Sequence, residues 1–371
     1  MTPSPSRVGT TRTLKPVRSA DPQTGREIWR VSPEGVPSTA TYMYVAQFTP
    51  DERYLFYQSR LDGALQLHRY ELDTGALTQV TDLPDCELMC YHVHPAGREV
   101  FYKAGGRIWA SDVETLQARC VYDPARRPEF GKTTQLIKFS RSGRWLSFGY
   151  LLPDGRKAIG RMTADGDTLE SLHVFPDGEG PQHLMFCNSP DEDLLSFSPS
   201  PDHQQEWTAP PERRARTYLL NARTRAVEPL FVLPEPFTAT HDFWSPAGER
   251  LYYHKKTRPT WTPTWINSVD RATRRHREIY RDDVHKLGHC YCTRDEKWLV
   301  SDVQEPGRNP LILIETATGR AEILCWPNSS VTAGHGAFAH THPSWSPCER
   351  FILYTSDASG CGQVYLIPMS L

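Results

Sequence analysis

The most constraining feature of the sequence is a phrase that recurs seven times. Each copy usually has an apolar residue, then Ser or Thr, then Pro or Arg, and after a short polar turn an apolar run. This pattern predicts a strand, a tight turn and a second strand, and a further turn signal and alternating segment follow in most copies. Seven such four-stranded units predict an all-β, seven-bladed β-propeller with four-stranded blades. The Pro or Arg positions, 45 to 56 residues apart, are Pro50, Pro95, Arg141, Pro190, Pro246, Arg294 and Pro347.

The two ends of the sequence predict how the ring of blades closes. The seventh unit reaches Leu371 directly after its third strand, 363–368, and lacks a fourth. Residues 21–31 precede the first unit and have the pattern of an unpaired strand. We expect this N-terminal strand to complete the last blade, because pairing covers an exposed edge. Residues 1–18 are expected to be a disordered tail and 19–371 a single propeller domain.

Composition and charge exclude several classes of protein. With 42 Lys and Arg against 44 Asp and Glu, the net charge of −2 disfavours binding to nucleic-acid phosphates. No apolar run is long enough to span a membrane, and residues 1–21 lack the hydrophobic region of a secretory signal. The nine cysteines have no zinc-finger or disulfide-framework spacing. These features predict a cytoplasmic protein with reduced thiols and no membrane or nucleic-acid partner.

Histidines recur at one position of the repeat. Counted five residues back from the Pro or Arg, three consecutive blades carry His241, His289 and His342, and His340 lies two residues before the last of these. Equal parity places all four side chains on the same side of the innermost strands. Four converging imidazoles indicate a functional site, since imidazole both binds divalent ions and titrates near neutral pH. The offsets predict that the imidazoles of His289, His340 and His342 lie within about 5 Å of one another. His183, alone at the offset of His340, is interpreted as a structural residue.

Other groups of reactive residues carry weaker signals. The sequence has no GxGxxG, P-loop, GxSxG or HExxH motif. Cys290 and Cys292 flank Tyr291 without a partner CxxC pair, so we interpret them as buried structural thiols. The run 213–216 is either a solvated face or an anion clamp at the channel mouth, since arginine suits bidentate recognition of carboxylates.

Several motifs resemble those of the oligogalacturonate lyases. Residues 240–244 are similar to the family's Thr-His-Glu-Phe-Trp signature, and 340–345 to its His-Pro-His-Pro-Ser-Phe metal motif. The likeness runs over most of the chain and is weaker in the middle blades. Further matching stretches are 21–25, 30–33, 215–218, 288–289 and 354–357.

The resemblance implies a function and a role for each matching residue. It implies a cytoplasmic seven-bladed propeller that degrades pectin fragments with a divalent metal, most often Mn²⁺. His289, His340 and His342 would then bind the metal, His241 would be the general base and Arg216 the catalytic arginine. The substrate implied is a short uronate-containing oligosaccharide cleaved by β-elimination.

The sequence departs from the family at two places. Ala337 stands where the family has a metal-binding Gln, three residues before the first His of the metal motif. Residues 39–42 replace a His-Arg-Asn-Tyr stretch, so an expected substrate-facing arginine is absent. Water or His335 would complete the metal sphere.

Two other classes of function stay open at this stage. One is a non-catalytic propeller that binds a sugar, peptide or protein, because the fold alone does not decide function. The other is a metal-dependent isomerase or epimerase that forms the same carbanion. The metal content of the purified protein distinguishes a non-catalytic propeller from a lyase. The ultraviolet absorbance of an unsaturated uronate product distinguishes a lyase from an isomerase or epimerase. The oligomeric state is not predicted.

Overall fold

A computed structural model describes residues 6–204, 206, 208–331 and 339–370. Within these ranges there are thirty β-strands and, as helical structure, only the 3-10 turns Pro124–Arg126 and Pro211–Arg213. The first strands are β1 (Thr11–Thr13), β2 (Val17–Ala20), β3 (Glu27–Arg30), β4 (Ser38–Thr39), β5 (Tyr54–Ser59), β6 (Gln66–Glu71), β7 (Ala76–Gln79), β8 (Cys86–Val93), β9 (Glu99–Ala104), β10 (Arg107–Asp112), β11 (Ala118–Tyr122), β12 (Thr133–Phe139), β13 (Trp145–Leu151), β14 (Lys157–Thr163) and β15 (Leu169–Val174). The others are β16 (Gly180–Phe186), β17 (Leu194–Ser200), β18 (Tyr218–Asn221), β19 (Val227–Pro229), β20 (Phe237–Trp244), β21 (Arg250–Thr257), β22 (Thr264–Asp270), β23 (His276–Asp282), β24 (Leu287–Cys292), β25 (Trp298–Val303), β26 (Leu311–Glu315), β27 (Ala321–Cys325), β28 (Ser344–Trp345), β29 (Phe351–Ser356) and β30 (Gln363–Pro368).

The strands form seven sheets, as the repeats predict. Five sheets contain four neighbouring strands in chain order each: β8 to β11, β12 to β15, β16 to β19, β20 to β23 and β24 to β27. The other two have five strands, in the orders β1-β7-β6-β5-β4 and β2-β3-β30-β29-β28. Each repeat phrase lies at the tight turn that joins the first two strands of its sheet, because Pro, Gly and Asp there favour turn conformations over strand.

The chain divides into two compact units. The first contains Met1–Cys120, Gln304–Ile312 and Ile323–Leu371, and the second contains Val121–Val303 and Leu313–Glu322. In each unit, buried side chains from consecutive sheets pack together. Buried residues of the first unit include Leu55, Tyr57, Tyr70, Leu353 and Leu366. Those of the second unit include Ile159, Leu172, Phe186, Leu195 and Leu220.

The predicted N-terminal strand is confirmed within the first unit. β3 pairs antiparallel with β30, with Trp29 opposite Leu366 and Arg30 opposite Tyr365. The buried carboxylate of Asp21 fixes the turn before it, accepting hydrogen bonds from the backbone of Gln23, Thr24 and Trp326. Burial by itself would raise the pKa of Asp21, but these hydrogen bonds outweigh it and lower the pKa. The sequence 21–25 is thus a turn that ties the N-terminal strand to the chain near Trp326.

We expect Asp21→Ala to destabilise this closure. The substitution leaves three backbone N–H groups without their carboxylate, so the free energy of unfolding should fall by about 1–3 kcal/mol. Urea denaturation followed by circular dichroism measures the change. Asp73→Ala, at an exposed turn of the same unit, is the control and should stay near the parent. Equal stabilities of the two variants would contradict this role for Asp21.

The expected disorder of residues 1–18 is wrong for two segments. β1 pairs with the outer strand β7, and β2 pairs with β3, so residues 11–13 and 17–18 add to sheet edges. Every residue of both strands is exposed. A strand that is exposed on both faces has no apolar alternation, which is why the sequence pattern does not reveal it. Residues 1–5 lie outside the described residues.

Candidate metal centre

His289 is held in a defined orientation by Asp302. The pairing of β24 with β25 has a register shift between Leu287 and Cys290. His289 lies within this shift, next to Asp302 on β25. Both side chains are 2% exposed, and His289 Nδ1 lies 3.1 Å from Asp302 Oδ2. The backbone N–H of His289 donates to the other carboxylate oxygen. With Nδ1–H donating to Asp302, Nε2 carries the lone pair, which is the usual orientation of a metal-binding histidine.

His340 and His342 lie next to each other before the short strand β28. Their ring centroids are 5.5 Å apart. His342 has a φ of 42°, and its buried ring packs edge-to-face with Tyr42, with the ring centroids 4.6 Å apart. The aromatic contact and the left-handed backbone together fix the position of this imidazole.

The three histidines offer a set of ligands for one ion. One ring nitrogen from each of His289, His340 and His342 lies within 4.8 Å of the others, and such a group could hold a metal ion. A divalent ion with bonds of about 2.1 Å holds such nitrogens roughly 3–4 Å apart, so the group is close to a ligand geometry. Three imidazoles suit divalent transition-metal ions such as Zn²⁺, Fe²⁺ and Ni²⁺. Metal binding by these residues stays a prediction.

Asp302→Ala should weaken any metal bound at this site. Loss of a carboxylate that orients a ligating histidine typically lowers metal affinity about 10–100-fold. Titration of metal-free protein with Mn²⁺, followed by calorimetry, measures this change. Asp283→Ala removes a surface carboxylate paired with Arg281 and is the control. Unchanged affinity in the Asp302 variant would show that His289 does not need this partner.

His241 presents a basic nitrogen beside His289. A bulge in β20 between Thr240 and Phe243 gives His241 a φ of 50°. Its Nδ1 lies 2.9 Å from the carbonyl oxygen of Gly288, and its ring centroid is 4.3 Å from that of His289. Because Nδ1–H donates to the carbonyl, Nε2 is the free acceptor of the neutral ring. Burial, reinforced by His289 and other nearby basic groups, lowers the pKa of His241 well below its usual value, which keeps it neutral.

Arg216 is buried beside two carboxylates and is not part of a solvated face. Its side chain is 7% exposed, whereas that of Arg213 is 53% exposed. Its Nε donates to Asp242 Oδ1 at 3.4 Å, and Thr217 Oγ1 donates to the other oxygen of Asp242 at 3.0 Å. Asp202 lies 3.9 Å from the guanidinium. Of the two interpretations of this run, the structure rules out solvation for Arg216.

The repeat position assigned to His183 from the sequence is wrong, and its interpretation as a structural residue stays a prediction. The connection 187–194, between the paired ends of β16 and β17, is two residues longer than 245–250 in the next sheet. An offset counted from the proline therefore places His183 two positions away from its structural equivalent in the next sheet. Counted instead from the last paired residue of the strand, His183 and His241 are equivalent, and their φ angles are 48° and 50°.

His183 also lies in the electrostatic environment of the other groups. Burial and the nearby Arg216 lower its pKa to about 3, against the opposing influence of Asp242. The imidazole is therefore neutral, and it interacts electrostatically with His289 and with His241. Aligning the repeats on the strand ends, and not on the turn proline, is the signal that would have found it.

The remaining sequence predictions have mixed outcomes. Cys290 and Cys292 are buried and free of disulfides, and burial raises the pKa of the Cys290 thiol, which agrees with a structural role. His335 and Ala337 lie outside the described residues. Among the described helical segments, none is long and apolar enough to cross a membrane.

Comparisons with known proteins extend over nearly the whole chain. No protein-family model matches it. The oligogalacturonide lyase of Pectobacterium atrosepticum is 21% identical, and the oligogalacturonate lyase of Dickeya dadantii is 22% identical. Each alignment covers 93% of this chain and 94% of the relative.

Solved structures give the same relationship. An oligogalacturonate lyase in complex with manganese superposes with a TM-score of 0.86 at 20% identity, covering 98% of this chain and 99% of the other. The oligogalacturonate lyase of Vibrio parahaemolyticus has a TM-score of 0.84, with the same identity and coverage. The predicted seven-bladed β-propeller fold is thereby confirmed. In sequence and in fold this chain is similar to the oligogalacturonate lyases, as its motifs predict.

Proposed function

We propose that this chain is a metal-dependent lyase that cleaves short uronate-containing oligosaccharides by β-elimination. The observation that supports this most is that a candidate metal site lies next to a histidine that can act as a base. Three imidazole nitrogens form a candidate metal site, and the ring of His241 lies against one of its members with a basic Nε2. Elimination next to a carboxylate needs both a cation and a base.

The metal would be held by His289, His340 and His342. When bound, a divalent ion neutralises the uronate carboxylate and so makes the C5 proton easier to remove. Mn²⁺ is the proposed ion, because a solved structure similar to this chain is an oligogalacturonate lyase in complex with manganese. Asp302 holds His289 with Nε2 available for coordination.

His241 would accept the proton from C5 of the sugar. Its Nδ1–H stays on the Gly288 carbonyl, so the incoming proton goes to Nε2. The electron pair of the C5–H bond then forms the C4=C5 double bond, and the O4 oxygen leaves and takes a proton from solvent. Arg216, fixed by Asp242, would bind the carboxylate on the other side of the base.

An absorbance assay on a uronate panel tests this proposal. Purified protein with Mn²⁺ should generate the ultraviolet absorbance of a C4=C5 unsaturated uronate from digalacturonate or trigalacturonate, and EDTA should abolish the signal. Turnover without this absorbance would identify an isomerase or epimerase. Absence of metal and of turnover across the panel would identify a non-catalytic binding propeller.

A further inference from the structure

One face of the sheet that carries His241 holds buried polar atoms for which the described residues provide no hydrogen-bond partner. These atoms include Thr238 Oγ1, Thr240 Oγ1, Lys256 Nζ and both ring nitrogens of His254, which lies opposite Thr240. Thr238 lies directly opposite Lys256 across β20 and β21, and Thr240 is two residues further along the same face. Buried polar groups in native proteins nearly always have partners, so this face is built to receive water or a ligand.

The charge around Lys256 is predominantly positive. Arg216, Arg258 and Lys286 act on it electrostatically, and the opposing Asp302 is already bound to His289. Burial lowers the pKa of Lys256 to about 7, and the nearby cations add to this effect, whereas Asp302 opposes it. A buried ammonium without a hydrogen-bonded anion is costly, and an incoming carboxylate would relieve that cost.

Trp261 joins two of these cations. It lies in the connection 258–263 between β21 and β22, and its ring centroid is 4.6 Å from Lys256 Nζ and 4.2 Å from the guanidinium carbon of Arg258. The indole is partly exposed, whereas Lys256 beneath it is buried. An aromatic face beside two cations matches a sugar ring that carries a carboxylate.

We propose that Lys256, Arg258 and Trp261 form a second carboxylate subsite, which binds the uronate adjacent to the one that reacts. The inference rests on the proposed function, since it names which neighbour of the reacting sugar the protein selects. Trp261 turns from Lys256 onto the sugar, and the carboxylate takes its place against Nζ. Lys256 lies close enough to His241 to act on it electrostatically, which puts the subsite next to the base. The substrate class is therefore an oligosaccharide with uronates in consecutive positions.

The test compares trigalacturonate with its fully methyl-esterified form. Binding is measured by calorimetry in the His241→Asn background, so that neither ligand is consumed. Lys256→Met should lower affinity for trigalacturonate about 10–100-fold, the size of a lost hydrogen bond to a charged group, and leave affinity for the ester within about twofold. Lys255→Met is the matched control, because the Lys255 ammonium lies over Phe237 and Trp265 instead. It should bind both ligands as the background does.

Thermal stability separates a binding role from a structural one. Lys256→Met removes a buried charge, so its melting temperature should rise by about 2 °C or more, whereas a structural lysine would lower it. Trp261→Leu provides a second variant should Lys256→Met not fold, and it should weaken both ligands about tenfold through lost stacking.

Several outcomes would overturn the subsite. These are unchanged affinity for trigalacturonate in the Lys256 variant, equal losses for acid and ester, or a lowered melting temperature. Failure of the proposed function is a different result. In that case the parent protein produces no unsaturated product, and the binding comparison is made on the parent itself. A preference for trigalacturonate over its ester that is lost in Lys256→Met would still support the subsite.

Discussion

His342→Ala should remove the metal from this protein. His342 is one of three imidazoles whose nitrogens lie within 4.8 Å of one another, so its loss leaves two ligands. Loss of a residue that only hydrogen-bonds to a metal ligand typically lowers metal affinity about 10–100-fold, and the loss of His342 itself should lower it further. Elemental analysis of protein purified with Mn²⁺ measures occupancy, and the absorbance assay should show activity falling with it.

The fold of the His342 variant should persist. The apolar core of the last sheet is formed by residues such as Leu353 and Leu366, which are independent of the imidazole. Circular dichroism and the melting temperature provide that check. His276→Ala, at an exposed position of β23, is the control and should retain both metal and activity. Full metal occupancy in the His342 variant would show that the ligand assignment is wrong.

The repeat phrase predicts the sheets well because its signals are local. Proline, glycine and aspartate at a hairpin turn act within a few residues, and β30 occupies the predicted residues 363–368. The pairing of β3 with β30 is also predictable, since an incomplete last unit and an extra first strand leave one arrangement that covers both edges.

Features that depend on loop length or on exposed edges are not predictable in this way. His183 is missed because the longer connection 187–194 shifts the count from the proline, although the strand itself is regular. β1 and β2 are missed because they are solvated on both faces. Lys256 lies on β21, and Trp261 lies in the connection between β21 and β22. The repeat phrase does not specify how close these side chains come to the histidines of β20 and β24.

The orientation of His241 leads to the prediction that separates a base from a ligand. In His241→Asn, the side-chain amide can still donate to the Gly288 carbonyl, which His241 Nδ1 contacts at 2.9 Å. The local backbone and the neighbouring His289 should therefore keep their places. What is lost is the basic Nε2, because an amide does not accept a proton near neutral pH.

We therefore expect His241→Asn to keep its metal and to bind trigalacturonate, yet to lose about 10²–10⁴-fold in elimination rate, the usual contribution of a general base. Elemental analysis, calorimetry and the absorbance assay measure the three quantities on one preparation. His276→Asn, in the same sheet and exposed, should match the parent in all of them. A His241 variant as active as the parent would reject this residue as the base. Loss of metal together with activity would instead place His241 in the coordination sphere, since only a ligand links the two losses.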